Sequence, residues 1–114
     1  MSKKSPTKSE SERMDKLSRS GCVVCRQQFG AYVDGEIHHL TSGGRRLGHD
    51  YTVCLCPWHH RGVGVGNYTP DEMRRIYGPS IAHGRGPFEL AFGLEEYLLE
   101  ATDRWLGTLK QPRD

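Results

Sequence analysis

No stretch of the sequence approaches the roughly 18 consecutive apolar residues of a membrane span, so no membrane partner is expected. The opening run Met1 to Ser20 also lacks the apolar segment of a secretory signal, which points to an intracellular, cytoplasmic protein. Hydrophobic residues are scarce at 35%, against the roughly 45–50% usual in globular domains. A chain of 114 residues has room for one domain and buries only a modest part of its unfolded surface. A staple beyond the hydrophobic core is therefore expected. Strong charge is absent as well: the formal net charge is +2, so composition by itself does not mark a nucleic-acid binder.

What the sequence does have is four cysteines and six histidines, closely grouped. In a reducing compartment such cysteines read as metal ligands rather than disulfides. Cys22-Val-Val-Cys25 and Cys56-Pro-Trp-His59 share one two-residue spacer, and two facing turns of this kind supply the four tetrahedral ligands of a structural Zn2+ site. The competing readings are unpaired core cysteines or a redox pair. Cys54 is left over; two residues before Cys56 in an apparent strand, it shares a face with Cys56. It either replaces His59 as fourth ligand or, the preferred reading, is a small buried apolar residue.

The charges are sorted even though they nearly cancel. Lys3, Lys4, Lys8, Arg13, Lys16 and Arg19 lie at the front, Arg45 and Arg46 in a glycine-rich loop, and Arg61, Arg74, Arg75 and Arg85 behind the second histidine pair. Glu89, Glu95, Glu96, Glu100 and Asp103 gather at the rear. Such a division suits a protein that meets a polyanion with one face, or else is ordinary surface scatter.

The local signals predict an α+β fold. Residues 1 to 9 are expected to be disordered, or ordered only on a partner, and 10 to 19 to form a short helix with Met14 and Leu17 on one face. This divides the chain into a flexible basic tail over 1–20, a zinc-stapled domain over 21–110 and a short tail over 111–114. Within the domain Cys22 to Cys25 reads as a compact turn, Glu36 to Leu40 as a strand, Thr41 to Gly48 as a loop and Tyr51 to Leu55 as a second strand. Cys56 to His60 then reads as a strand turning into a helix with Pro57 near its first position. After a loop over 62–68, Thr69-Pro70-Asp71-Glu72 opens a helix to about Ile76, ended by Gly78-Pro79. A final helix is expected from Pro87 to about Leu109, its apolar stripe made by Phe88, Phe92, Leu94, Tyr97, Leu98, Ala101, Trp105 and Leu109, with Gly93 as a point for a kink. Trp58, Trp105 and that stripe are expected in the core.

His38-His39 and His59-His60 form two doublets. A strand presents neighbouring rings on opposite faces, and with His59 committed to zinc, His60 is directed elsewhere. One histidine of each doublet can then share a second site, where a hard divalent cation and a neutral imidazole base would together serve phosphodiester hydrolysis.

Ile37-His38-His39-Leu40, a Gly/Arg loop, His49, and Leu55-Cys56-Pro57-Trp58-His59-His60-Arg61 resemble the motif of the HNH (ββα-metal) endonucleases. More narrowly, with Ile81-Ala82-His83-Gly84-Arg85, Phe88-Glu89, Phe92-Gly93, Pro6 to Glu10 and Met14-Asp15, the chain resembles the phage Ref family, recombination-enhancement nucleases acting on DNA held by RecA. The resemblance covers most of residues 5 to 100. It implies a metal-dependent DNA endonuclease in phage recombination or repair, placed in the host cytoplasm, with DNA and a RecA-type filament as partners. It further implies that His39 is the general base and that His38 and His60 hold a catalytic Mg2+ or Mn2+. The central motif position, often asparagine, falls on His49 or Asp50. His83 is either a packing residue or, as the likeness favours, a metal or phosphate ligand. Arg45, Arg46, Arg61 and Arg85 are candidate phosphate contacts. The alternative function is a non-catalytic zinc module that binds nucleic acid or protein; it shares the zinc site and has no use for His39.

Overall fold

The computed structural model describes residues 5–42 and 44–110, without the side chains of 108–110. The lysines at 3 and 4 and the short tail over 111–114 lie outside the described residues. The first helix, α1, spans Lys8–Ser20 and starts two residues earlier than the sequence suggested. The cause is a capping box: the Thr7 hydroxyl accepts from Glu10 N at 3.1 Å while Glu10 Oε1 accepts from Thr7 N at 2.8 Å. Leu17 of α1 is fully buried against Cys54 and Leu106, so this helix is part of the core.

Cys22 to Cys25, expected as a compact turn, is instead the cap and first turn of a helix, α2 (Val23–Phe29). Cys22 caps it, its Sγ accepting from Cys25 N at 3.5 Å. Two valines at a helix start oppose local propensity, but both are buried in the main core, and packing outweighs a few tenths of a kcal/mol of preference.

Strand β1 (Glu36–His39) pairs antiparallel with the later strand β4 (Thr52–Leu55), with Glu36 opposite Leu55, His38 opposite Val53 and His39 opposite Thr52. The connecting stretch, expected as loop, carries a small hairpin of β2 (Thr41–Ser42) and β3 (Arg45–Arg46). From β4 the chain enters α3 (Pro57–Arg61) at Pro57, with Cys56 as its cap. Cys56 is thus past the strand, and the alternation that would have put Cys54 and Cys56 on one face does not reach it: Cys54 joins Leu17 and Leu106, Cys56 the main core.

Helix α4 (Pro70–Tyr77) matches expectation, opened by a second capping box between Thr69 and Glu72. A 3-10 turn over Ile81–His83 follows. The long final helix is in fact two, α5 (Arg85–Phe92) and α6 (Glu95–Lys110), separated at Gly93, whose φ is +98°. The break resets the helical phase. Phe88 and Phe92 are buried as expected, but among the described side chains of α6 the buried positions are Glu95, Leu98, Thr102 and Leu106, that of Leu109 lying outside them. Leu94, Tyr97 and Trp105 of the expected stripe are exposed, and the Arg26 guanidinium covers the Trp105 ring at 4.6 Å. Trp58 is buried. Among the described residues no helix is long and apolar enough to cross a membrane.

Gly93→Ala should lower stability by about 1–2 kcal/mol, because an L side chain resists this φ and its Cβ would lie 3.1 Å from Tyr97 Cδ2. Gly86→Ala, inside α5 with open space around it, should raise stability by about 0.5–1 kcal/mol. Urea unfolding of the two variants checks both signs, and a single uninterrupted helix would reverse the first.

Candidate active site and metal centre

Cys22, Cys25, Cys56 and His59 are all buried, with their ligand atoms within 4.8 Å of one another. Each half is local: the thiolate position that caps a helix also faces the second ligand one turn on, Cys25 in α2 and His59 in α3. Cys25 Sγ lies 3.9 Å from Cys56 Sγ, and His59 Nδ1 lies 3.8, 3.7 and 3.2 Å from the sulfurs of Cys22, Cys25 and Cys56. The edges of a zinc tetrahedron with S ligands are about 3.8 Å and with one N about 3.5 Å, so the donor set fits. The far nitrogen of His59, Nε2, lies 2.8 Å from the Tyr77 carbonyl; donating there leaves the Nδ1 lone pair toward the sulfurs. Trp58 Nε1 donates to the next carbonyl, Gly78 O, at 2.9 Å. Two carbonyls that the end of α4 leaves without helical partners thereby hold the ligand-bearing helix.

The electrostatics of the cluster agree with this fit. Burial works against a protonated His59, but hydrogen bonds to the Cys22 and Cys56 sulfurs and to Tyr77 outweigh it and lift its pKa to about 10. Hydrogen bonds from Cys22 and Cys25 push Cys56 far below the thiol range, while hydrogen bonds with Cys22 and Cys56 push Cys25 up. Negative charge gathers on sulfur beside one proton, and a divalent cation would take that proton's place. Cys54 stands apart, its thiol pushed up to about 12 by burial, as suits an inert core residue.

Four of the remaining five histidines fall on the two faces of β1. On one face His38 and His60 meet edge to face with ring centroids 5.1 Å apart. Each is backed by a carboxylate: His38 Nε2 lies 2.7 Å from Glu95 Oε2, and His60 Nδ1 lies 2.8 Å from Glu36 Oε1. Glu36 also takes the Arg61 guanidinium in a forked pair, Nε at 2.9 and 3.1 Å and Nη2 at 2.5 Å. Arg61, with His60 beside it, holds the Glu36 carboxyl down at about 2 against the opposing effect of burial. Burial pushes Glu95 up, yet the hydrogen bond and charge of His38, helped by Arg85, leave it below the usual carboxylate range. These pairings leave Nδ1 of His38 and Nε2 of His60 as the ring nitrogens they do not use.

On the other face His39 Nε2 lies 3.3 Å from His49 Nδ1. The two rings border an open hollow of about 590 Å³, together with Arg46, Thr7 and Glu10. Of the basic residues singled out from sequence, Arg46 is therefore beside His39 and His49, whereas Arg45 is exposed on β3 and does not line that hollow. Arg61 is committed to Glu36, and Arg85 reaches Thr41 Oγ1 at 3.2 Å and Glu95 Oε1 at 3.5 Å. His83 packs edge-on against Trp58 with centroids 5.5 Å apart. A Cβ on Gly62, which ends α3 at φ +75°, would come within 2.8 Å of His83 Nε2, so the two positions are matched in shape. The sequence reading missed Glu36 and Glu95. Glu36 is legible in hindsight, two residues before His38 and hence on the same face of a strand; Glu95 stood in what read as the middle of a helix and carried no signal.

Cys25→Ser should remove bound zinc and unfold the domain at moderate temperature, while Cys54→Ala should keep one equivalent of zinc per chain by metal analysis; loss of zinc in both would put Cys54 in the centre. Since the Glu36 pKa is about 2 in the folded chain against an ordinary 4.5, its stabilising effect is complete above pH 4.5 and is lost as pH falls toward 2. Glu36→Gln should flatten that part of the acid-unfolding curve, followed by circular dichroism.

No curated protein matches the chain. The model of one family, described as recombination enhancement, RecA-dependent nuclease, matches residues 6–106, a span from α1 through both histidine faces and the Cys3His cluster to α6. On that match the chain belongs to the RecA-dependent, recombination-enhancement nuclease family.

Proposed function

We propose that the chain is an HNH-type endonuclease that hydrolyses DNA phosphodiester bonds, its fold stapled by a structural Zn2+ on Cys22, Cys25, Cys56 and His59. The observation that supports this most is the division of the histidines by β1: His38 beside His60 on one face, His39 beside His49 on the other. The first pair would hold a divalent cation. Both imidazoles have a carboxylate on one nitrogen, the arrangement that orients metal-binding histidines and strengthens their remaining nitrogen as a donor. Two such imidazoles suit Mn2+ somewhat better than Mg2+, which prefers an all-oxygen shell. When bound, the cation neutralises charge on the phosphate and its leaving oxygen.

His39 is the general base in this reading. It takes a proton from the attacking water as a neutral imidazole, and in its contact with His49 one ring donates and the other accepts, which selects the His39 tautomer. His49 fills the role often held by asparagine. Arg46, at the rim of the same hollow, has the charge and the planar fork to receive a phosphate. DNA is the substrate, and the RecA filament that family membership implies presents it.

The decisive measurement is cleavage of single-stranded and duplex DNA with Mg2+ or Mn2+, with and without a RecA filament. His39→Ala should lower the rate by about 10²–10⁴-fold while zinc content and melting temperature stay unchanged. His38→Ala and His60→Ala should instead raise the metal concentration needed for half-maximal cleavage. A wild-type chain that binds zinc and DNA yet cuts under none of these conditions would make it a binding module.

A further inference from the structure

We propose that Arg13, on the N-terminal helix, is a positioning residue for the His39–His49 pair, acting through Thr52. The Arg13 side chain is only 14% exposed, unusual for an arginine on a short surface helix. Each of its three guanidinium nitrogens donates a hydrogen bond. Nε donates to Thr52 Oγ1 at 3.0 Å, Nη2 donates to Thr52 O at 2.6 Å, and Nη1 donates to Asp103 Oδ1 of α6 at 2.7 Å.

Thr52 is wholly buried and stands directly opposite His39 in the β1–β4 register. Its hydroxyl donates to the His49 carbonyl at 2.8 Å. The direction of this relay is forced. Arginine can only donate, so Thr52 Oγ1 must accept from Arg13, and its one proton goes to His49. His49 Nδ1 then meets His39 Nε2 at 3.3 Å. His49 follows Gly48, with φ +126°, between Leu47, whose N donates to Leu40 O at 3.1 Å, and Tyr51, whose O accepts from Leu40 N at 2.9 Å; the carbonyl bond adds a tie from His49 itself to β4. An exposed ion pair such as Arg13–Asp103 contributes little by itself; the buried fork onto Thr52 is the part that a different side chain cannot reproduce.

The consequence for function rests on His39 being the base. Misplacing a catalytic ring by a fraction of an ångström costs rate rather than binding. A helix that composition assigned to a tail would then complete the active site, and truncating it would impair cleavage without touching any ligand of either cation.

The test uses the full chain with isotope-labelled histidine and two variants. Arg13→Lys keeps the charge facing Asp103 and loses the fork; Thr52→Val keeps the branched shape and loses the relay hydroxyl. Both should move the ring-nitrogen resonances of His39 and His49 while those of His59 stay fixed, and both should lower kcat on RecA-bound DNA about tenfold with KM within about twofold. Unchanged His39 and His49 resonances in either folded variant, or an unchanged kcat with only the melting temperature lowered, would overturn the proposal. His39→Ala separates the two readings: if it cuts like the wild type, His39 is not the base, and the resonances alone then decide whether Arg13 positions the pair.

Discussion

The cap at Cys56 is the constraint on which the rest of this molecule depends. One residue ends β4, starts α3 and contributes a sulfur to the Cys3His cluster. Because Pro57 fixes the first helical φ and the Cys56 sulfur accepts from His59 N, the angle between strand and helix is set within a few residues. The cluster then ties this corner to the start of α2, and His59 and Trp58 tie it to the end of α4. In a chain with so few hydrophobic residues, such bonds replace core volume as the source of a unique geometry.

The histidine faces follow from that corner. His60 is one residue beyond His59 of the Cys3His cluster, on a helix whose direction is fixed, and His38 is on the strand paired with β4, so the two rings meet because the strand–helix angle brings them together. Strand alternation sends His39 to the other side, where His49 arrives from the stretch between β3 and β4. A chain this small keeps the His38–His60 pair apart from the His39–His49 pair by using the two sides of one strand. The carboxylates of Glu36 and Glu95 each hold one imidazole of the first face in a single orientation.

Much of this was legible from residues. The members of the Cys3His cluster could be read because each pair is local, set by a two-residue spacer that survives any tertiary arrangement. The order of strand, loop, strand and helix, the start of α4 at Thr69-Pro70, and the role of Cys54 as an apolar residue were likewise written in short patterns. The exceptions have particular causes. The Val-Val of α2 concealed a helix because burial, not propensity, stabilises it, and the assumption of one continuous final helix ran through Gly93 and so carried its apolar phase into residues that face solvent.

What the sequence by itself determined is the chemistry available: which side chains can hold a soft cation, which can hold a hard one, and where helices begin. Only the tertiary structure decided which of those groups meet. His38 and Glu95 are 57 residues apart and Arg13 and Thr52 are 39 apart, and no local period encodes contacts of that span. They exist because α1 and α6 pack on the β1–β4 pair, burying Leu17, Cys54 and Leu106 together. Local patterns act through backbone geometry over a turn or two, whereas a buried carboxylate finds its imidazole only after the chain has closed around both.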